Sequence, residues 1–557
     1  MNKRKAYGKR MVKLLGLKTL SLLLSLCFFG FNASAQTSKA EVFYITTDRN
    51  LYVVGESINL KIFARKYEIE SPNRAYLYCD FQGQDGSFYD GVKARIDSSW
   101  ISLQLPIPID MLSGNYIIRV YSQELKSEAN SYATQWVRIV NPNTAKLLSV
   151  KESSDNVLTM DRLKNARNIK LEELAKTYPK RSKVECRLNF ADANILPSSM
   201  TVSVVPKSSL VNTNISLPHN DDVNYYSSEE TRGLLLQGQL ISQTAKAKSP
   251  NLSGNRIYFS IRGSKDIISC ISDSTGSFQI YLPDNYGKHE VYITTETLLE
   301  GVQIKVNRSY DTKTIFSLNK EFYLNKQELD WALLMAQNQN IKESFSQEDL
   351  EDSSNFSIRP FYDKPDEVIR INDYIDLDDL GMYFTELPGN VHLHKRNDKY
   401  EMRIINAAGM QLFNSPLIMV DYVVVNDLQQ VLKMNPKDIN RIEIVREYYQ
   451  KGDANFGGIV NFISNENDFA SYEFSNSAIS ISYDFLTRNN IHQSVRPIEN
   501  KPDARTTLLW MPNVNTNKSS IPLTFYTSDM SGAFMIVIQG LDKNGNSVYY
   551  SQEFVVE

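Results

Sequence analysis

The chain has 557 residues, 42% of them hydrophobic, 11% aromatic and 22% charged, with a formal net charge of −3. That length exceeds one ordinary domain and predicts about three to five. The near-neutral balance and a pI of about 6.1 provide no overall basic character for nucleic acid or an anionic membrane surface.

The N-terminus reads as an export signal. Lys3, Arg4, Lys5, Lys9, Arg10, Lys13 and Lys18 precede an apolar stretch, Leu20 to Phe31, and then Ala33-Ser34-Ala35. This predicts a signal peptide over 1–35, with Gln36 as the new N-terminus. The apolar stretch is shorter than the ~20 residues a span needs. Cys27 raises a lipid-anchored alternative, but Leu26 stands where such signals take a small residue. No later segment reaches ~18 uninterrupted apolar residues, so no span is expected in the remaining 522 residues. Cys79, Cys186 and Cys270 are widely spaced and odd in number, which predicts three buried thiols in three different β-domains.

Period-two alternation dominates, as in Leu60 to Arg65 and Tyr116 to Tyr121, and predicts antiparallel strands with one buried face. Region 36–142 opens with Tyr52-Val53-Val54-Gly55-Glu56 and later carries Gly114-Asn115-Tyr116. These two motifs, in this order, resemble the macroglobulin-type β-sandwich, although Val54 stands where that family often has proline. Region 143–215 repeats the opening at Tyr178-Pro179-Lys180-Arg181-Ser182 with the glycine lost. Either the module is duplicated or two strands coincide.

Residues 212–230 are rich in Asn, Asp and Ser and read as a linker. Region 231–307 carries Leu236-Gln237-Gly238 and Asp273-Ser274-Thr275-Gly276-Ser277-Phe278. It resembles the carboxypeptidase regulatory-like (transthyretin-like) sandwich, whose Asp-x-x-Gly-x-Phe hairpin returns an aromatic ring to the core. Leu329, Ala332, Leu333, Ala336 and Ile341 fall at helical spacing within 325–345. Glu348 to Asp352 then reads as a solvated acidic linker, without the glycine and spacing of a calcium loop. Helix and linker together occupy 320–352.

Region 375–468 runs through a short helix, a hairpin and the strand Pro416 to Val420. A short helix, Asn435-Pro436-Lys437-Asp438-Ile439, the strand Arg441 to Val445, a Gly-rich turn and the strand Ile459 to Ile463 follow. This succession resembles the plug domain of TonB-dependent outer-membrane receptors. Tyr422 replaces the family's turn glycine, so Asp421 and Tyr422 are candidate partner-contact residues, the alternative being a core tyrosine. The 87 residues after 470 are too few for the large barrel that a plug fills, at ~10 residues per membrane strand. Their strands predict another small sandwich over 475–557.

No catalytic constellation emerges: there is no Gly-x-Ser-x-Gly elbow, phosphate loop or His-Glu-x-x-His, and no cysteine lies in the Cys-Gly-Glu-Gln run of a thioester. His392 and His394 share a strand face, but exposed strand histidines are common and no further ligand stands nearby. The sequence thus predicts a mostly β multidomain protein, several β-sandwiches plus one small α+β plug-like domain, with no catalytic, cofactor or metal site. The expected function is a non-enzymatic envelope protein of a Gram-negative cell, exported to the periplasm or outer membrane. It would bind other envelope proteins, a separate outer-membrane transporter among them. The alternative is a macroglobulin-like protease-interaction or surface adhesion protein.

Overall fold

The computed structural model describes residues 43–64, 75–123, 132–143, 166, 168–190, 195, 198–211, 230, 233–243, 250–316, 322–345, 356–357, 359–386, 389–396, 399–490, 495–516 and 520–557. Residues 41–220 and 228–557 form one compact unit, and the second unit, 1–40 with 221–227, lies outside the described residues. So do the expected signal peptide, most of the 212–230 linker and the acidic run at 348–352. The described chain is mostly β, with three β-sandwiches and one small α+β module.

The first sandwich pairs a three-stranded sheet, Phe43–Thr47, Ser57–Ala64 and Trp100–Pro106, with a five-stranded one. The latter runs Leu51–Val53, Ala133–Val140, Gly114–Tyr121, Ala75–Gly83 and Phe88–Ile96. Leu51–Val53 is parallel to its neighbour. The other pairings are antiparallel.

The second sandwich repeats that order strand for strand. Its three-stranded sheet is Ile169–Glu172, Lys183–Phe190 and Ser520–Tyr526. Its five-stranded sheet runs Thr177–Tyr178, Ser547–Val556, Gly532–Leu541, Thr201–Pro206 and Leu509–Met511, and Thr177–Tyr178 is again the parallel edge. Region 143–215 therefore supplies only half of a domain, and the C-terminal segment expected as a sandwich of its own supplies the other half. One hydrophobic cluster spans both halves, from Leu171, Val184 and Val202 to Phe525, Ile536 and Phe554. Alternation in a sequence shows that a strand has a buried face. It does not show which distant strand covers that face.

The repeated opening motif shows how one backbone shape is kept by different residues. Tyr52 Oη accepts the Arg49 N–H at 3.3 Å, and Tyr178 Oη accepts the Ala175 N–H at 2.8 Å, three residues upstream in each case. Gly55 is left-handed at φ +82°, and Arg181, where the glycine is lost, is left-handed too at φ +56°. Glu56 accepts the Val53 N–H in the first copy. Pro179 has no N–H to offer, and there Ser182 Oγ donates to the Pro179 carbonyl instead.

The third sandwich is also closed late. Its sheets are Ser277–Leu282, Leu234–Ser242 and Val302–Val306, and Ile267–Ile271, Arg256–Ile261, Lys288–Thr295 and Ala478–Asp484. Asp273 Oδ1 accepts the N–H groups of Thr275 and Ser277 to shape its hairpin. Phe278 then re-enters the core over Gly238, where a Cβ would stand 2.3 Å from the ring. Between Val306 and Ala478 lie the helix Lys326–Phe345 and the α+β module. The helix opens on a reciprocal cap, Glu328 N to Asn325 Oδ1 at 2.8 Å and Asn325 N to Glu328 Oε2 at 3.0 Å. It buries Ala332 and Met335 against Leu51, Val53 and Val140, while Leu333 and Ile341 are exposed.

The α+β module is a five-stranded sheet in the order Glu367–Arg370, Ile439–Val445, Ile459–Ser464, Leu417–Val420 and Val423–Val424. The hairpin Val391–Arg396 with Lys399–Ile404 and the helices Leu380–Glu386 and Leu428–Leu432 accompany it. The three inner units are thus nested, module within third sandwich and third sandwich within second. A chain ending at Asn500 is expected to lose the protease resistance of residues 166–211, while residues 43–143 keep theirs. Limited proteolysis with mass mapping checks this.

Candidate interaction surface

Three polar constructions join the modules. The first is the turn Asp48 to Glu56. Arg49 Nη2 donates to Glu56 Oε1 at 2.7 Å, and its guanidinium lies 4.5 Å from the Tyr52 ring centre. Asp48 accepts from Tyr52 Oη at 2.8 Å and Asn59 Nδ2 at 3.0 Å. The turn then reaches both ends of the long insertion into the second sandwich. Val211 N donates to Asn50 Oδ1 at 2.6 Å where the chain departs. Thr507 Oγ1 donates to Asp48 Oδ2 at 2.5 Å, and Thr506 Oγ1 to Glu56 Oε1 at 3.3 Å, where it returns. The long helix covers the same turn through Met335 Sδ, 3.1 Å from Arg49 Nη1, and Gln339 Nε2, which donates to the Gly55 carbonyl at 3.0 Å.

The second construction surrounds Arg119, fully buried and bidentate to Asp80 at 2.7 Å on both arms. The same guanidinium donates to the carbonyls of Asp311 and Thr314, which fixes the strap leaving the third sandwich against the first. Beside it, Lys93 is buried with Nζ 2.9 Å from the Asp484 carbonyl and 3.9 Å from the Tyr483 ring centre. Burial lowers its pKa from 10.5 to about 8, against the opposing pull of Asp484, Asp90 and Glu230.

The third is the turn at Asp421 and Tyr422. Both residues are left-handed, at φ +48° and +67°, in the two-residue connection that pairs Val420 with Val423. Non-glycine residues pay about 1–2 kcal/mol each there, and local bonds offset the cost. Asp421 accepts from Ser464 N at 2.8 Å, Ser464 Oγ at 2.6 Å and Phe469 N at 2.9 Å. Buried Asn461 takes the Tyr422 N–H at 3.3 Å and donates to Tyr362 Oη at 2.9 Å, which donates to Glu443 at 2.5 Å. The Tyr422 ring lies beside Tyr362 and under Lys265. Asp421 is 9% exposed and Tyr422 8%. These candidate partner-contact residues are therefore engaged inside the chain. The core-tyrosine alternative describes Tyr422, whose cluster includes Tyr258 and Ile267 of the third sandwich.

His392 and His394 are exposed on the hairpin, ring centres 6.2 Å apart, opposite Arg403 and Glu401. Among the described residues no group of three or more His, Cys, Asp or Glu gathers at metal-binding distance. Cys79, Cys186 and Cys270 are unpaired, one in each sandwich. Burial raises the thiol of Cys186 to about 11, that of Cys270 to about 12, and that of Cys79 as well.

No family model and no curated protein matches the chain. Among solved structures it is similar to bacterial alpha-2-macroglobulins. The native conformation of the Escherichia coli protein is 9% identical at a TM-score of 0.23, over 94% of this chain and 40% of that one. The elastase-activated Escherichia coli form is 10% identical at 0.23, over 93% and 44%. A methylamine-reacted Salmonella form is 9% identical at 0.22, over 94% and 40%. The chain spans about two fifths of the length of these structures.

Of the first construction only Tyr52 to Glu56 stand out in the sequence, as a motif, and neither Lys93 nor Arg119 is marked there as a buried charge. A lysine and an arginine on alternating β-strands were the available signal. Two outcomes follow. Asp421→Ala is expected to cost about 2–4 kcal/mol in urea unfolding, from three lost bonds to a carboxylate, whereas a solvent-facing contact residue would leave stability unchanged. Lys93 binds its proton less tightly folded than unfolded, so its contribution to stability rises as pH climbs from about 8 to 10.5. Lys93→Met removes the titrating group and is expected to abolish that rise, read from thermal melts at both ends of the window.

Proposed function

We propose that this chain is an exported interaction protein, without catalytic chemistry of its own, in which macroglobulin-like sandwiches carry a plug-like module. The observation that carries the reading is the repeated strand order of the first two sandwiches, locked together by the Asp48–Glu56 turn. Such a frame supports binding of a protein outside the cytoplasm, a protease or a surface ligand, through non-covalent contacts. The cysteines are poorly suited to a covalent trap, because their thiols are raised well above neutrality and two of the three are buried.

A second reading follows from the module. Its strand Leu417–Val420, helix Leu428–Leu432, strand Ile439–Val445 and strand Ile459–Ser464 occupy the stretch whose sequence resembles a receptor plug. That resemblance favours assistance to a separate outer-membrane transporter. Both ends of the module return to the third sandwich, and its core joins Tyr258, Ile267 and Tyr292 of that sandwich. It would therefore meet a partner as a fixed body.

Crosslinking in intact cells, paired with co-elution of the purified full chain with a panel of proteases, separates the readings. Co-elution with a protease and no transporter crosslink supports the first. A crosslink to a β-barrel transporter with no protease bound supports the second. Neither outcome in either assay would overturn both.

A further inference from the structure

One sheet of the third sandwich presents amides to solvent. Its strands Leu234–Ser242, Ser277–Leu282 and Val302–Val306 turn Leu236, Leu240, Phe278, Ile280 and Ile304 into the core. Alternation sets the intervening residues on the opposite face. Gln237, Gln239, Gln279 and Gln303 stand there, and Gln243 and Asn307 extend the same face past the strand ends. Strands of nine, six and five residues thus hold four of the 22 glutamines of a 557-residue chain, so the enrichment is local. The amides form cross-strand rows. Gln279 lies opposite Gln237, and on the other side Asn307 N donates to the Gln237 carbonyl at 2.8 Å. Gln243 Nε2 donates to Gln303 Oε1 at 2.9 Å, and Gln239 Nε2 to the Thr275 carbonyl at 3.2 Å. Gln243, Gln279, Gln303 and Asn307 are exposed, and Gln237 and Gln239 are half-buried among them.

Lys305 is the one charged residue at the outward positions of these three strands. The corresponding sheet of the second sandwich is an ordinary solvated face. It sets Lys170, Glu172, Lys183, Glu185 and Arg187 outward, each in an ion pair. Such charges keep an exposed sheet soluble and unpaired. The amide face forgoes that protection, and amide rows can ladder with copies of themselves.

We propose that this face binds a neutral polysaccharide. Each amide carries an acceptor oxygen and two donor N–H groups, so it pairs with a hydroxyl whichever way the hydroxyl points. A carboxylate only accepts and an ammonium only donates, and a face with a single lysine offers no charge match to an acidic or a basic partner. The sheet spaces its outward side chains ~6.7 Å apart along a strand and ~4.8 Å across strands. That flat, periodic array suits an extended chain of hydroxyl-bearing rings better than a compact molecule. Tyr281, half-buried opposite Leu235 at one end of the face, offers an aromatic surface to the C–H side of a sugar. The proposal does not rest on the protein partners considered above.

Titration calorimetry of the full chain with laminarin, xyloglucan and mannan tests it, with polygalacturonate as the acidic counterpart. Wild type is expected to bind at least one of the three neutral polymers, with an affinity that high salt leaves unchanged, and not polygalacturonate. Gln279→Ala with Gln303→Ala is expected to weaken binding about tenfold, with an unchanged melting temperature because both side chains are exposed. Lys305→Ala is expected to bind as wild type does. No binding of wild type to any of the three, equal affinity in the double variant, or binding that high salt or Lys305→Ala removes would overturn the proposal. So would a wild-type dimer in sedimentation that the double variant dissolves while no polysaccharide binds, since the face would then serve a second copy.

Discussion

The turn from Asp48 to Glu56 is the constraint on which the interlocked sandwiches depend. It is a buried group of two carboxylates and one guanidinium, the excess negative charge being met by Tyr52, Asn59, Thr506, Thr507 and the Val53 N–H. Breaking a buried charge pair by removing one partner costs about 3–5 kcal/mol. The turn grips the second sandwich at the two points where the insertion leaves and rejoins it. Residues near position 50 thus hold together segments almost 300 residues apart in sequence.

That grip addresses a problem of chain entropy. In the first sandwich, residues 84–87 connect Ala75–Gly83 to Phe88–Ile96. The equivalent connection in the second runs from Lys207 to Leu508. For a flexible chain the longer closure would cost about 4 kcal/mol more. Folding of the insertion and anchoring of both its ends on one rigid turn reduce that cost. The third sandwich meets the same problem on a smaller scale, and its inserted module shares its core. Module junctions throughout are built from buried polar pairs and aromatic rings, which specify register as well as adhesion.

Local features were legible in the sequence and long-range ones were not. The helix at Lys326–Phe345 follows from spacing, the recurrence of Tyr52 as Tyr178 from a repeated motif, and the Asp273–Gly276 hairpin from the resemblance to a known sandwich. The face of the helix was half legible: Ala332 is buried as its spacing suggests, but Leu333 is exposed and Met335 takes the place beside Leu51, Val53 and Val140. Nesting was invisible, since Ala478–Asp484 and Gly532–Leu541 look like strands of one domain and belong to two. Asp421 and Tyr422 drew notice as a departure from a turn glycine. Their inward role depends on Ser464, Asn461 and Phe469, some 40 residues away, which no local reading supplies.

Amide hydrogen exchange of an Asp48→Ala variant tests the central claim most directly. If the turn clasps both ends of the insertion, Thr201–Pro206 and Leu509–Met511 lose protection together, although both strands lie far from residue 48 in sequence. Loss confined to Leu51–Val53 and Ser57–Ala64, with the second sandwich as protected as in wild type, would contradict it.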